Sequence, residues 1–467
     1  MFFRIQIFLT LLISLFPSPG IATSEPIHLT LEVAVARALR FNRNLRNNTL
    51  DLDSSRLNMD AAQNIFDIKV SPLSSINYTS SDDEENNIWR VGGQITKKFS
   101  SGIALKLEPS VEKGDNDYGA GVGFSLAIPL IRGWGTDINM DNVYANEYSL
   151  ASSNRTFHRQ KVNTILDTVT TVYSLIREQH LVSLYTEQLN NLKGHLKSAI
   201  IKEKAGIARS MNVYRAEIRI KDVEDNLSLA RERVTETGDR LKDIVALPLD
   251  KPIHADAPQE YTLITMEQDQ IIRIALERRI ETFQGKADIA EAMRREKVAR
   301  HNTLPDLKLV TIYTRRGRST DFGDVLLFNE DRWSIGLTSS TDISRSVEKN
   351  TWAKTRIELK REHFNFDSSR QNIIREVRTV LNSLKKSQER IALRREQIIQ
   401  ATGKQRLAHI KFQYNEADNF DLIESQAQLE RAKVNLLSDE IRYIIDGYRL
   451  RAAMGTLLAY SPEEAKP

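Results

Sequence analysis

Few residues in this chain have the types and spacing to do chemistry, and each reads more simply another way. Asp421 and Glu424 stand three apart. That is the spacing of a capping box, in which a carboxylate at a helix start accepts from the backbone N–H three residues on and the second carboxylate reaches back. The eight histidines are scattered, with no His-Glu-x-x-His or other metal-holding spacing among them. Gly119-Ala120-Gly121-Val122-Gly123 resembles a phosphate loop, but no Lys-Ser/Thr pair or helix follows it, so it reads as a strand of small residues. There is no Gly-x-Ser-x-Gly elbow. With no cysteine, a disulfide framework, a thiolate metal site and a cysteine nucleophile are excluded. No enzyme and no cofactor are expected.

The elements around these residues say more. At 467 residues the chain is too long for one ordinary core, which points to two units or a repeat. Its 66 basic and 62 acidic residues are interspersed, as on solvated helix faces, and a net charge of +4 does not call for nucleic acid. Arg4 precedes an apolar run from Ile5 to Phe16, which Pro17 and Pro19 end; Gly20 and Ala22 follow as small residues. This is the pattern of a signal peptide over residues 1–22, the alternative being a buried N-terminal helix. No later stretch is long enough for a membrane-spanning helix. An exported chain of this kind crosses a membrane only by strands in a closed barrel, and with no cysteine after the cut it carries no lipoprotein-type lipid.

Helical spacing dominates. It runs from Leu29 to Phe66, from Asp137 to about Lys204, and near the C-terminus through Leu422, Ser425, Leu429, Ala432 and Leu436. Ile165, Val169, Val172 and Ile176 step by four, three and four, a coiled-coil rhythm. A helix of roughly 65 residues is on the order of 100 Å long at 1.5 Å per residue; a periplasm-crossing tube needs such a rod and a globular domain seldom does. Two stretches break the pattern. From Ile68 to Ile131, Ile88, Arg90, Gly92 and Gln94 alternate with Trp89, Val91 and Ile95, and further strands follow near Ile103 and Gly119, with a tight turn at Ser101-Gly102. From Leu304 to Ile343 two more strands are expected. Four strands then fall in the first half and two in the second. Strands of about ten residues with weak alternation suit a transmembrane barrel, and an ordinary periplasmic sheet fits the pattern equally. Trp89, Phe124, Trp134 and Trp333 read as interface-belt aromatics or as strand packing.

The halves align. Ala38-Leu39 corresponds to Ala275-Leu276, and Pro72 to Pro305. Gly206 and Asn415 are 209 residues apart, as are Asn212 and Asp421. Gly and Asn are the residues that most readily take positive φ, so each is expected to turn one helical hairpin. Even both halves supply too few strands for a water-filled pore, so the chain is expected to oligomerise around a shared barrel.

These pieces together resemble the TolC family of outer-membrane efflux and secretion channels. They are Leu29-Thr30-Leu31-Glu32 with Ala38-Leu39, the strand end Ile128-Pro129-Leu130-Ile131-Arg132-Gly133-Trp134-Gly135, and the hairpin from Phe412 to Gln426 followed by Leu429, Ala432, Tyr443 and Gly455. The resemblance covers nearly the whole mature chain. It implies a mainly α fold with a β-barrel segment, built as two tandem repeats and assembled as a trimeric channel-tunnel. It implies a location in the outer membrane reaching into the periplasm, contact with outer-membrane lipid, and a periplasmic adaptor and an inner-membrane pump as partners. The function implied is an exit duct of a tripartite efflux pump or type I secretion system. In this family the second hairpin closes the periplasmic end with rings of acidic residues, which match Asp421 and Glu424. An aromatic at the position of Phe412 is a tyrosine in the best-known member, and Phe412 lacks its hydroxyl. The family's arginine latch falls on Ala417 and its acidic acceptor on Asn212, so both ends of that bridge are missing. The expected divisions are 1–22 signal peptide, 23–260 first repeat, 261–458 second repeat and 459–467 tail. Two other readings are a periplasmic adaptor, with a single hairpin and flanking β-modules, and a coiled-coil structural protein of the envelope, which needs no strand region.

Overall fold

The computed structural model describes residues 26–80, 85–206, 209–260, 266–414, 416 and 419–460. The expected signal peptide, the hairpin residue Asn415 and the latch position Ala417 lie outside the described residues. Ten helices and eight strands are described besides one short 3-10 turn. In order they are β1 (Ile27–Thr30), α1 (Leu31–Phe41), α2 (Arg43–Gln63), β2 (Lys69–Ser80), β3 (Glu85–Lys98), β4 (Ala104–Lys113), β5 (Tyr118–Pro129), α3 (Thr136–Asn139), α4 (Asp141–Lys204) and α5 (Ser210–Ile244). Then come β6 (Ile253–Asp256), α6 (Gln268–Arg278), α7 (Ile280–Asn302), β7 (Lys308–Ser319), α8 (Phe322–Val325), β8 (Glu330–Thr338), α9 (Ser346–Gln413) and α10 (Asn419–Ala453). They form two compact units, each drawing on both sequence halves: one ends its first segment at Ala38 and adds Thr168–Gln259 and Glu396–Ile441, and the other holds the remainder.

The first unit is helical. Val169, Val172 and Ile176 of α4 are buried, as the coiled-coil rhythm requires, and Leu422, Ser425, Leu429 and Ala432 of α10 line a second buried seam. Leu192 packs with Ala216, Ile220, Val223 and Ile423, flanked by Tyr185, Leu189 and Leu196. Each fully buried leucine contributes on the order of 2 kcal/mol, and this packing, more than propensity, stabilises such polar helices. One element differs from the helical expectation: Leu29 and Thr30 belong to β1, which pairs in parallel with β6, Ile27 opposite Ile253 and Leu29 opposite Ala255. The tetrapeptides Ile-His-Leu-Thr and Ile-His-Ala-Asp put an apolar residue at alternate positions, which is strand spacing.

The second unit joins helices to a sheet. Leu52, Met59 and Ala62 of α2 form a core with Val143 and Leu150 of α4. The first helix breaks at Asn42, whose side-chain oxygen caps α2 by accepting from the N–H groups of Asn44 (3.0 Å) and Leu45 (3.2 Å). A matching break separates α6 from α7 at Arg279, an extended residue. Asn42 and Arg279 are 237 positions apart, the same offset as Ala38 and Ala275. The sheet has six strands in the order β2-β3-β4-β5-β7-β8, every neighbouring pair antiparallel.

Candidate functional site: a two-faced sheet and a helical-hairpin tip

Successive residues of a strand point to opposite faces, so the pairing register assigns every side chain to one of two surfaces. One surface carries Val70, Ile76 and Tyr78 of β2, Trp89, Val91 and Ile95 of β3, and Leu105, Leu107 and Val111 of β4. It continues through Val122, Phe124, Leu126 and Ile128 of β5, Leu309 and Tyr313 of β7, and Trp333, Ile335 and Leu337 of β8. Many of these are exposed, with Val70 at 69%, Val91 at 66% and Trp333 at 71% of their free surface. An apolar surface this continuous is not left facing water. From Tyr118 to Ile128 the outward residues of β5 cover ten steps, which at about 3.3 Å each and a tilt of about 40° give a band roughly 25 Å tall. Among the described residues no helix is long and apolar enough to cross a membrane.

The opposite surface is mainly polar, although Leu73, Ile88, Val310 and Ile312 fall on it. Arg90 meets Glu112 across the β3–β4 pair (2.8 Å), and Lys106 meets Glu108 along β4 (2.7 Å). Gln94 donates to Glu108 at 3.4 Å, and Arg318 bridges to Asp117 at 2.8 Å. Gly119, Gly121 and Gly123, the run that resembled a phosphate loop, also face this side, opposite Glu112, Ser110 and Glu108. A concavity of about 760 Å³ lies on this surface, lined among others by Arg90, Lys106, Glu108, Glu112 and Arg316. The sheet thus curves around its charged face and turns its apolar face outward. Trp89, Phe124 and Trp333 sit on the apolar face, with Trp333 paired opposite Tyr313; Trp134 lies beyond the end of β5 and belongs to neither surface.

The other sequence-predicted residues gather in the helical unit, where α4 ends and α5 begins and where α9 ends and α10 begins. Gly206 ends the α4 turn with φ of +73°, the left-handed conformation that glycine adopts at least cost. Phe412 is half-buried in the last turn of α9. The Lys202 ammonium lies 3.8 Å from its ring centroid and donates to its carbonyl oxygen at 2.9 Å. Arg215 lies over the ring of Phe420, 5.1 Å from its centroid. Two cation–π contacts therefore tie the second hairpin to the first.

Asp421 falls inside the first turn of α10, two residues past its start at Asn419, and not at a cap position. Its exposed carboxylate has no side-chain partner among the described residues, and Glu424 turns forward to accept from Gln428 Nε2 at 2.8 Å. The reciprocal capping box is therefore not formed. Asp421 instead places negative charge at the positive end of the helix dipole. Nearby, burial and the charge of His409 both hold the His195 imidazole below its usual pKa. About three turns into α10, burial pushes the Glu430 carboxyl up against the opposing effect of Lys433. The two cation–π contacts carry no sequence signature, because they join helices whose pairing only the fold supplies.

With this geometry in hand, likeness to known proteins is informative. Residues 271–456 match the family model of outer membrane efflux proteins. The fold is similar to the Campylobacter jejuni CmeC outer membrane channel (TM-score 0.73, 14% identity, 93% of this chain and 88% of that one). It is also similar to the outer membrane protein VceC of Vibrio cholerae (0.72, 14%, 91% and 96%). The Neisseria gonorrhoeae MtrE outer membrane channel in its open state gives 0.69 at 14% identity, covering 91% and 89%. No curated protein matches in sequence. These likenesses define the fold as that of the solved outer-membrane channels, and the stretch 271–456 is similar to the outer membrane efflux protein family.

Proposed function

We propose that three copies of this chain form a passive exit duct of a tripartite efflux pump or type I secretion system. Its barrel lies in the outer membrane, and its helices reach into the periplasm towards an adaptor and an inner-membrane pump. The observation that carries this reading is the continuous apolar face of a curved sheet whose other face is charged and concave. In lipid that arrangement satisfies the backbone and leaves water on the inside. The edges β2 and β8 each lack a partner in one copy, and pairing the β8 edge of one copy with the β2 edge of the next removes both. The recurrence of the helix break at Asn42 and Arg279 supports a duplicated unit. At the periplasmic end, Asp421 and Glu424 of three copies form an acidic ring, with Gly206 turning the first hairpin. The Lys202–Phe412 and Arg215–Phe420 contacts stand where the family's arginine latch is missing.

Membrane fractionation followed by electrophoresis without heating tests this. The protein is expected with the outer-membrane fraction, migrating as a heat-sensitive trimer. Recovery as a soluble monomer would overturn the reading and favour an adaptor or a coiled-coil envelope protein.

A further inference from the structure

The sheet contains a hairpin, β3–β4, whose place in the wall decides the width of the pore. We infer that this hairpin is a full part of the barrel, so that three copies close an eighteen-stranded barrel with a wide aqueous lumen at its outer end. The inference rests on the trimeric channel reading and fixes the size of that channel.

Four observations carry it. First, β2 pairs only with β3, and β5 pairs only with β4 and β7. Removing the hairpin from the wall would strip β2 of its one partner in the copy and β5 of one of its two, breaking both observed ladders, and an open edge in lipid is not tolerated. Second, the register between β3 and β4 is constant from Trp89–Lys113 to Lys98–Ala104, interrupted only beside Pro109, which has no N–H to give to the ladder. Third, the two faces run through the hairpin unchanged. Val91, Ile95, Leu105, Leu107 and Val111 continue the apolar band, while Arg90–Glu112 and Lys106–Glu108 continue the charged one. A hairpin folded into the lumen or standing in the periplasm would have no use for a lipid-type face in register with its neighbours.

Fourth, the turn is anchored at its base. Gly135 donates its N–H to the Ser101 carbonyl (3.1 Å), and Gly102, at φ +99°, leaves room where a Cβ would come within 2.3 Å of the Gly133 carbonyl. The hairpin is therefore tied at its base as well as along both edges. Barrel diameter grows roughly linearly with strand number, and barrels of about 16–18 strands leave an aqueous channel where about eight leave only side chains. A lumen of that width passes hydrated solutes without stripping their water.

The chain has no cysteine, so single-cysteine variants report cleanly. The test compares Val91→Cys and Leu107→Cys with Gln94→Cys and Ser110→Cys in full-length protein reconstituted in phospholipid vesicles. The probes are a water-soluble maleimide and a lipid-soluble one. Ile76→Cys on β2 and Ile335→Cys on β8 serve as reference positions, and each variant is scored for heat-sensitive trimer before labelling. The expected result is alternation. Val91→Cys and Leu107→Cys react at least tenfold faster with the lipid-soluble probe, as the references do, and Gln94→Cys and Ser110→Cys with the water-soluble one. If the references behave as lipid-facing but Val91→Cys and Leu107→Cys are water-accessible, the hairpin lies outside the wall. The eighteen-strand inference then fails and the channel reading survives. If the references too are freely labelled from water, the channel reading itself fails.

Discussion

The six-stranded sheet and the helical-hairpin tip meet different constraints. In the sheet most positions follow one alternation, apolar outward and polar inward; β7 departs from it, with Val310 and Ile312 on the polar face and Arg315 on the apolar one, and a one-residue slip of register would exchange the two faces of a whole strand. At the tip the contacts are individual: a lysine on a phenylalanine ring, an arginine on another, an exposed aspartate and a half-buried glutamate. A surface set by a solvent is redundant, whereas a closure set by a few side chains can be changed one residue at a time.

Substitutions that attack this contrast should differ in size. The largest effect is expected at the centre of the apolar band. Leu107→Arg places a charge near the bilayer midplane at about 2–4 kcal/mol and should nearly abolish heat-sensitive trimer in the outer membrane. Ser110→Arg, on the opposite face of the same strand, should leave trimer yield within about twofold, since lumen positions accept charge. Equal losses from both would erase the distinction between the faces. Next is Gly102→Ala, which forces a Cβ against the Gly133 carbonyl at a positive φ. Such strain costs about 1–3 kcal/mol and should lower the urea midpoint of the trimer while leaving single-channel properties of the survivors unchanged.

Tip substitutions should change gating and not assembly. Lys202→Ala removes a cation–π contact and a hydrogen bond to a carbonyl, together about 1–2 kcal/mol, and should raise the open fraction of single channels several-fold. Phe412→Leu keeps the hydrogen bond and should give a smaller rise. Asp421→Ala with Glu424→Ala should weaken block by divalent cations in planar bilayers and leave the melting temperature nearly unchanged; unaltered block would leave Asp421 only its place at the helix dipole. The smallest effect is with pH. Because burial and His409 hold His195 below its usual value, its neutral form is favoured in the packed tip. That stabilisation is fully present above pH 6.5, the ordinary value, and is lost as pH falls from there through the lowered one. The open fraction should therefore rise modestly on acidification, and less so in His195→Gln.

Much of the fold was legible because periodicity reports it directly. The rhythm through Val169, Val172 and Ile176 marks a buried seam, and the alternation of Trp89 and Val91 with Arg90 and Gly92 marks two faces. The β1–β6 pair is hard to read from sequence because four residues of strand adjoin a helix of stronger pattern; the repeated Ile-His at Ile27 and Ile253 is its one signal. The candidate site was less legible. Three-residue spacing of Asp421 and Glu424 suits a capping box only if the helix starts at Asp421, and α10 starts two residues earlier. Lys202 over Phe412 depends on which face α4 turns to α9, a tertiary fact with no local signature.

The central claim is that the apolar face of the sheet sits in lipid around a water-filled duct. Single-channel recording of the purified trimer in planar bilayers, beside its Lys202→Ala variant, tests it most directly. Discrete conductance steps are predicted from both, larger or longer-lived in the variant. Heat-sensitive trimers of both proteins that insert and give no steps above the lipid leak would contradict it.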